Sequence, residues 1–301
     1  MDYVPPTIGD TIELLWFIMI FLLVLLLVAL CTFNKENGGV LWQLMTIASQ
    51  YGKLNSGKAI KFFNLPKKIF THFYAISVLW NLIFIADLSI IFWFSDTQKG
   101  LIIKYIVPES STTRNLITKK SLLLAFTLIL IQGCRRLYEC LYVSKFSKQA
   151  TINLFHYFLG VFFYIFEPLT IVSKIGAIEK LPSGDIELRH FVGIILFVVA
   201  SYYQNQSFHI FAKLRKTSDK SEYKIPTGDL FEFVSCPHYF TEIVIYTALT
   251  FIVGFSHYSW RYAIVFVIVI HIGMAKMSHE WYLSTFKQYP KHRRALIPFV
   301  Y

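Results

Sequence analysis

LLWFIMIFLLVLLLVALCTF, residues 14–33, is a run of twenty residues without a charged side chain. An α-helix needs about 20 apolar residues to cross the hydrocarbon of a bilayer, so this run predicts a transmembrane helix. Asp2, Asp10 and Glu13 precede it, where a cleaved signal peptide would carry basic residues, and no small-residue cleavage site follows. We therefore expect this helix to be retained.

Further apolar segments of similar length follow along the chain. They are predicted at about residues 70–94, 121–143, 151–172, 191–212, 239–255 and 260–277. Hydrophobic residues make up 55% of the chain and charged residues 16%, whereas a soluble domain has about 25% charged residues. The predicted fold class is therefore all-α: a polytopic membrane protein with about seven transmembrane helices, forming one domain over residues 1–301.

Charge distribution gives the predicted orientation. Most of the 29 lysine and arginine residues lie in the loops and the tail on one side of the predicted membrane, which indicates a cytosolic C-terminus. The net charge of +11 does not indicate nucleic-acid binding, because the basic residues are dispersed over short loops. The four cysteines show no C-x-x-C spacing, so we expect neither a disulfide framework nor a metal site.

Charged residues inside a predicted span mark one candidate site. Arg135, Arg136 and Glu139 lie within about one helical turn near the end of the third span. Charges at this depth usually face a protein interior or an aqueous cavity. The alternative is that both arginines reach the headgroups beside an i,i+3 salt bridge.

Two segments after the fifth span carry further polar residues. The first is EYKIPTGDLFEFVSCPHYFTE, residues 222–242, in which Pro226 and Gly228 predict a turn and Ser235 predicts a helix N-cap. The second is the tail, KMSHEWYLSTFKQYPKHRRALIPFVY, residues 276–301, whose His279, Tyr282 and Phe286 share one helix face. The tail indicates either an interfacial anchor or a surface that holds an anion.

Four motifs in this order resemble the steroid 5α-reductase family. They are HFYAISVLWN at 72–81, RRLYECLYVSKFS at 135–147, YKIPTGDLFEFVSCPHYFTE at 223–242 and HEWYLSTFKQYPKHRRALIPF at 279–299. The similarity covers about residues 40–301, with the family-defining region at about 190–301. The first two motifs resemble the branch that reduces polyprenal (polyprenol) in dolichol synthesis.

The resemblance implies a multi-pass enzyme of the endoplasmic reticulum membrane that uses NADPH to saturate a double bond conjugated to a carbonyl. Its substrate would be a long-chain polyprenyl lipid, whose α-isoprene unit is reduced in support of dolichol synthesis and protein N-glycosylation. No nucleic acid, metal or obligate protein partner is implied. Carried over by position, the cofactor-binding residues would be Arg136, Arg215, Lys224, His238, Glu242, Tyr282 and Arg293.

The chain departs from the steroid-reducing members at three places. His238 replaces a common asparagine, Thr46-Ile47 stands near their Gln-Glu pair, and Gly133 stands where they have a tyrosine three residues before the arginine. Steroid activity is therefore disfavoured, and the resemblance does not identify the proton donor. Our candidates for that role are Tyr74 and Tyr138.

Two other functions fit part of the pattern. Isoprenylcysteine and phospholipid methyltransferases are also multispan proteins with an aromatic C-terminal ending, but their tails carry a Glu-Glu pair where this chain has His279-Glu280. A non-enzymatic seven-helix lipid-binding protein is the second alternative. It predicts that the basic residues serve only insertion or lipid affinity.

Overall fold

The computed structural model describes residues 7–32, 64–93, 102–107, 117–146, 150–173, 175, 181–216 and 223–301. Seven long helices dominate this part of the chain. They are α1 Ile8–Thr32, α2 Phe70–Trp93, α3 Lys119–Tyr138, α4 Leu154–Val172, α5 Leu188–Lys216, α6 Pro237–Val253 and α7 Tyr258–Thr285. The predicted all-α architecture with about seven helices is confirmed. Thr46-Ile47 lies outside the described residues.

The remaining elements are short. Strands β1 (Asn64–Pro66) and β2 (Thr151–Asn153) pair antiparallel, which places the start of α2 beside the start of α4. Helical turns occupy Lys67–Ile69, Ile103–Ile106 and Asp229–Glu232, and a π-helical turn, Glu139–Val143, continues α3.

Five helical segments are long and apolar enough to cross a membrane: Ile8–Ala29, Lys67–Trp93, Lys119–Val143, Leu154–Val172 and Tyr258–Thr285. The other two predicted spans, α5 and α6, also form helices. However, α5 carries the polar run Gln204-Asn-Gln-Ser207, and α6 has only 17 residues. The polar run indicates that this face of α5 contacts other helices of the protein and not lipid.

Two helix ends differ from the bounds that the hydrophobic runs predicted, and capping residues and a glycine explain the differences. Helix α1 begins at Ile8, before the charge-free run, because Thr7 and Asp10 cap it. The Thr7 amide donates to the Asp10 carboxylate at 2.7 Å, and the Asp10 amide donates to the Thr7 hydroxyl at 3.2 Å. α6 ends at Val253 because Gly254 has a φ of 103°, a left-handed conformation that favours glycine.

A ring of five helices encloses the centre of the bundle. α2 packs on α3 and α4, α6 packs on α3 and α7, and α4 and α7 close the ring. α1 covers α7 and α4 from outside, where the buried Trp16 indole donates to the Thr170 hydroxyl at 2.7 Å. On one side of the bundle, α3, α5 and α7 end and α2, α4 and α6 begin. We call this side the tail side.

Two helical glycines, one at the α2–α4 contact in the ring and one at the α1–α7 contact outside it, test how closely the helices pack. A Cβ atom added to Gly160 in α4 would lie 2.7 Å from the Phe73 ring in α2, whereas one added to Gly273 in α7 would lie 3.4 Å from Leu27. We expect Gly160→Ala to lower the free energy of unfolding by about 1–3 kcal/mol, because overpacking forces the helices apart. Gly273→Ala should be neutral or stabilising, because alanine is the better helix former. Thermal unfolding in one detergent compares them, and equal melting temperatures would contradict the close α2–α4 contact.

Candidate active site

A cluster of charged side chains is buried at the tail side, where α3 passes into its π-helical turn. Arg135 Nη1 lies 2.5 Å from Glu139 Oε1, and Arg136 Nη1 contacts the other carboxylate oxygen. Glu139 is fully buried and Arg136 is 7% exposed. Single π turns inside helices often occur at functional sites. The i,i+3 salt bridge joins Arg136 to Glu139 and faces the protein interior, not the headgroups.

Amide side chains of α3 and α5 extend this cluster towards α6. Arg135 Nη2 donates to Gln132 Oε1 at 2.6 Å, and Asn205 Nδ2 donates to Glu139 Oε1 at 2.8 Å. Gln204 Nε2 contacts the Glu242 carboxylate and lies 3.3 Å from the His238 carbonyl oxygen. The sequence reading missed Gln204 and Asn205 as site residues. A polar run inside an otherwise apolar helix was the signal that could have found them.

Tyr74 of α2 completes the cluster. Arg136 Nη2 donates to the Tyr74 hydroxyl oxygen at 2.8 Å, and the guanidinium lies 4.9 Å from the Tyr74 ring centroid and 3.8 Å from that of Phe208. Because the arginine is the donor in this contact, the Tyr74 hydroxyl does not use its own hydrogen there. A buried phenol held by a cation can therefore act as a hydrogen-bond donor towards a ligand.

The other tyrosine candidate lies elsewhere. Tyr138 is 57% exposed, and its ring packs against the exposed Tyr142 at a centroid distance of 5.2 Å. The structure therefore brings Tyr74, and not Tyr138, to the arginine cluster.

Gly133 shows why α3 cannot supply a tyrosine here. A Cβ atom at this position would lie 3.0 Å from the Ser77 hydroxyl and 3.3 Å from a Val78 methyl group. The side chains of α2 already fill the space that a tyrosine at position 133 would need. Tyr74 lies one turn before Ser77 on the same helix, α2. The phenol beside Arg136 is therefore supplied by α2 and not by α3.

The tail forms one wall of the tail side. Its first ten residues continue α7, as the spacing of His279 and Tyr282 predicts. The rest is held by the chain before α6, since the Ser235 amide donates to the Arg294 carbonyl at 2.8 Å and the Arg294 amide donates to the Phe233 carbonyl at 2.9 Å. The predicted turn is present at Gly228, which has a φ of 94°. The tail and the 223–236 segment therefore form one surface.

Ser235 does not cap α6, contrary to our prediction. The N-cap position belongs to Cys236. The Ser235 hydroxyl instead lies 2.6 Å from both His279 Nδ1 and the Tyr289 hydroxyl. Burial raises the pKa of Tyr289, so its hydroxyl stays protonated at neutral pH. A contact with the distant tail has replaced the local cap.

The predicted cofactor residues form two neighbouring groups on the tail side. Arg136, His238 and Glu242 belong to the buried cluster just described. Arg293 is 2% exposed and donates through Nη1 to the Pro226 carbonyl at 2.7 Å. Tyr282 stacks on Tyr289, with 5.1 Å between ring centroids.

Aromatic rings connect these two groups. The His238 ring lies 5.1 Å from Phe211, and Phe211 lies 5.1 Å from Phe231 in the segment before α6. At the exposed edge, Arg215 lies 5.9 Å from the Tyr223 ring. Lys224 is the exposed neighbour of Tyr223. The seven residues therefore share one side of the bundle, with the buried cluster as its deep end.

The donors on this surface fit an anionic cofactor. The Nε atoms of Arg135, Arg136 and Arg293 are buried, and none makes a hydrogen bond to a residue that the structure describes. Guanidinium groups with remaining donors bind phosphate and carboxylate oxygens well. These guanidinium groups would be the residues that hold the phosphate groups of such a cofactor.

A buried serine–histidine pair at the opposite side of the bundle is structural. Ser121 Oγ lies 2.7 Å from His190 Nε2, but His190 Nδ1 accepts a hydrogen bond from the Glu187 amide at 2.9 Å. Nε2 therefore carries the proton and donates to the serine. A histidine in this tautomer cannot accept the serine proton, so the pair is not a nucleophile with its base.

Known proteins are similar to this chain over most of its length. Residues 150–301 match the family described as 3-oxo-5-alpha-steroid 4-dehydrogenase. The chain is 37% identical over 251 residues to a polyprenal reductase of Danio rerio, covering 79% of this chain and 80% of that protein. Polyprenal reductases of Caenorhabditis elegans and Homo sapiens are 34% and 32% identical, with 86% and 84% of this chain and 88% and 84% of those proteins covered. The chain therefore belongs to the steroid 5α-reductase family of oxidoreductases.

Proposed function

We propose that this protein is an NADPH-dependent reductase of the α-isoprene double bond of polyprenal or polyprenol. In this proposal it serves dolichol synthesis, and through it protein N-glycosylation, from the endoplasmic reticulum membrane with its C-terminus in the cytosol. The observation that carries the proposal is the buried contact of Arg136 with Tyr74 inside a membrane-spanning bundle. In this proposal the polyprenyl chain lies in the bilayer, and its head group enters the bundle to meet this cation and phenol.

The chain's own residues divide the work of binding the cofactor. Arg136, Arg215, Lys224 and Arg293 would supply positive charge to the phosphates. His238, Glu242 and Tyr282 would contribute polar and stacking contacts to the remaining parts. When bound, NADPH supplies the hydride, and the protein supplies orientation and electrostatics.

Tyr74 is our candidate for the group that holds the carbonyl oxygen of the substrate. Reduction of a conjugated double bond places negative charge on this oxygen, and a pre-oriented donor stabilises that charge. The contact from Arg136 fixes the phenol and increases its ability to donate. Exclusion of water from the bundle interior strengthens both interactions.

An assay of the detergent-solubilised protein with NADPH tests the proposal. Polyprenal, polyprenol and an enone steroid would be offered separately, and the products followed by mass. We expect the polyprenyl substrate to gain two hydrogens and the steroid to remain unchanged. Reduction of the steroid alone would overturn the substrate, and binding of S-adenosylmethionine without any binding of NADPH would overturn the cofactor.

Arg215 provides a cofactor test that does not disturb the fold, because it is exposed at the end of α5. We expect Arg215→Ala to raise the Michaelis constant for NADPH by an amount equivalent to about 1–3 kcal/mol, the typical value of a charge-assisted hydrogen bond. Lys213→Ala, also exposed on α5, is the matched control and should leave it unchanged. An equal effect of the two variants would indicate general attraction to anions or lipid.

A further inference from the structure

Glu167 of α4 is a fully buried acid in the middle of the bundle. The Tyr246 hydroxyl of α6 lies beside it, but neither carboxyl oxygen makes a hydrogen bond of normal length and angle within the described chain. An ionised carboxylate without a cation is far more costly in this environment than the neutral acid. The side chain is therefore held as a carboxylic acid that carries a proton.

Among the residues that the structure describes, structural roles explain the other buried acids but not this one. Glu139 is paired with two arginines. Asp87 accepts the amides of Ile102 and Ile103 at 2.9 and 2.8 Å, and so fixes the helical turn that begins there. Glu167 has no ion pair among the described residues and caps no described helix. A buried polar group that lowers stability and supports no structure indicates a functional role.

The position of Glu167 connects it with the candidate active site. Tyr164 lies one turn before Glu167 in α4, so the two side chains share a face of that helix. The Tyr164 ring packs edge-on against Tyr74, with 5.6 Å between centroids. On the other side, Tyr246 packs against Phe163 of α4 at 5.3 Å. Tyr164 therefore lies between Tyr74 and Glu167 and connects the arginine cluster with the buried acid through neighbouring side chains.

We propose that Glu167 is the acid that protonates the α-carbon of the substrate, an inference that rests on the proposed function. In this arrangement the head of the lipid lies over Tyr164, with its carbonyl oxygen towards Tyr74 and its α-carbon towards Glu167. Hydride addition at the β-carbon, with NADPH as reductant, moves the π electron pair of the double bond onto the α-carbon and oxygen. The O–H bond of Glu167 then breaks as the α-carbon–hydrogen bond forms. The remaining carboxylate regains a proton from solvent after the product leaves.

Glu167→Gln is the principal test, because it keeps the volume of the side chain and removes the acid. We expect kcat to fall by on the order of 100-fold or more, as for loss of a general acid. The solvent deuterium isotope effect on kcat should rise, because proton delivery becomes slower than hydride transfer. NADPH affinity should stay unchanged, and the melting temperature should stay the same or rise, since a costly buried acid has been removed.

Two further variants separate catalysis from folding. Glu167→Met replaces the acid with an apolar chain of similar volume and should also fold with undiminished stability and low activity. Thr170→Val is the matched control, a buried polar residue one turn further along α4 whose hydroxyl accepts from Trp16. It should lower the melting temperature but leave kcat and the isotope effect unchanged.

The possible outcomes distinguish this inference from the function on which it rests. A wild-type protein that does not reduce the polyprenyl substrate with NADPH would refute the function before any variant is made. An active wild type with a fully active Glu167→Gln, or with an unchanged isotope effect, would overturn only the role of Glu167. Loss of folding or of NADPH binding in both Glu167 variants would show a structural residue and would also overturn it.

Discussion

Arg136→Met is expected to lower NADPH affinity by about 10- to 100-fold and to reduce kcat as well. The guanidinium is a candidate phosphate contact, and a charge-assisted hydrogen bond contributes about 1.5–3 kcal/mol. It also donates to the Tyr74 hydroxyl, so its removal leaves the phenol without the group that orients it. The cost in folding stability should be only about 1–3 kcal/mol, because Arg135 still neutralises Glu139.

Arg135→Met is the matched control for this prediction. It removes a neighbouring arginine from the same cluster, with its contacts to Glu139 and Gln132, but leaves the contact between Arg136 and Tyr74 in place. We expect a similar loss of stability and a much smaller loss of NADPH affinity. Isothermal titration with NADPH and thermal unfolding of both variants provide the comparison. If the two variants lose affinity equally, the cluster acts through the fold and not as a cofactor contact.

Tyr74→Phe is expected to reduce kcat by roughly 100- to 1,000-fold, the usual effect of removing one donor to a developing oxyanion. The ring remains in place over Arg136, so the Michaelis constant for NADPH should change little. Stability should fall by about 1 kcal/mol, because one arginine donor loses its partner. Steady-state kinetics with NADPH and polyprenal measure both constants.

Tyr138→Phe is the control for Tyr74, because the same hydroxyl is removed from an exposed residue of α3. It should leave kcat, the Michaelis constant and the melting temperature unchanged. Full activity of Tyr74→Phe would remove this residue from the mechanism. A loss of activity in Tyr138→Phe instead would show that the reacting group lies on the outer face of α3.

Much of the candidate site was readable from the sequence because its signals are local. The Arg135–Arg136–Glu139 group depends on spacings of three and four residues within one helix, which fix neighbours whatever the rest of the fold does. The turn at Gly228 likewise follows from residue type. Ser235 shows where local reasoning fails: the residue type suited a helix cap, but two side chains of the tail, from 44 and 54 positions away, hold its hydroxyl instead.

The sequence by itself determined the helical membrane fold, because long charge-free runs have one stable solution in hydrocarbon. Its motifs also indicated the family. Only the tertiary structure showed that Tyr74 contacts Arg136 while Tyr138 is exposed, that Ser77 fills the space beside Gly133, and that Gln204 contacts Glu242. These contacts depend on how each helix is rotated about its axis, and that rotation is set by packing between helices far apart in sequence. The same rotation leaves Glu167, one acid within an apolar run, facing the interior of the bundle.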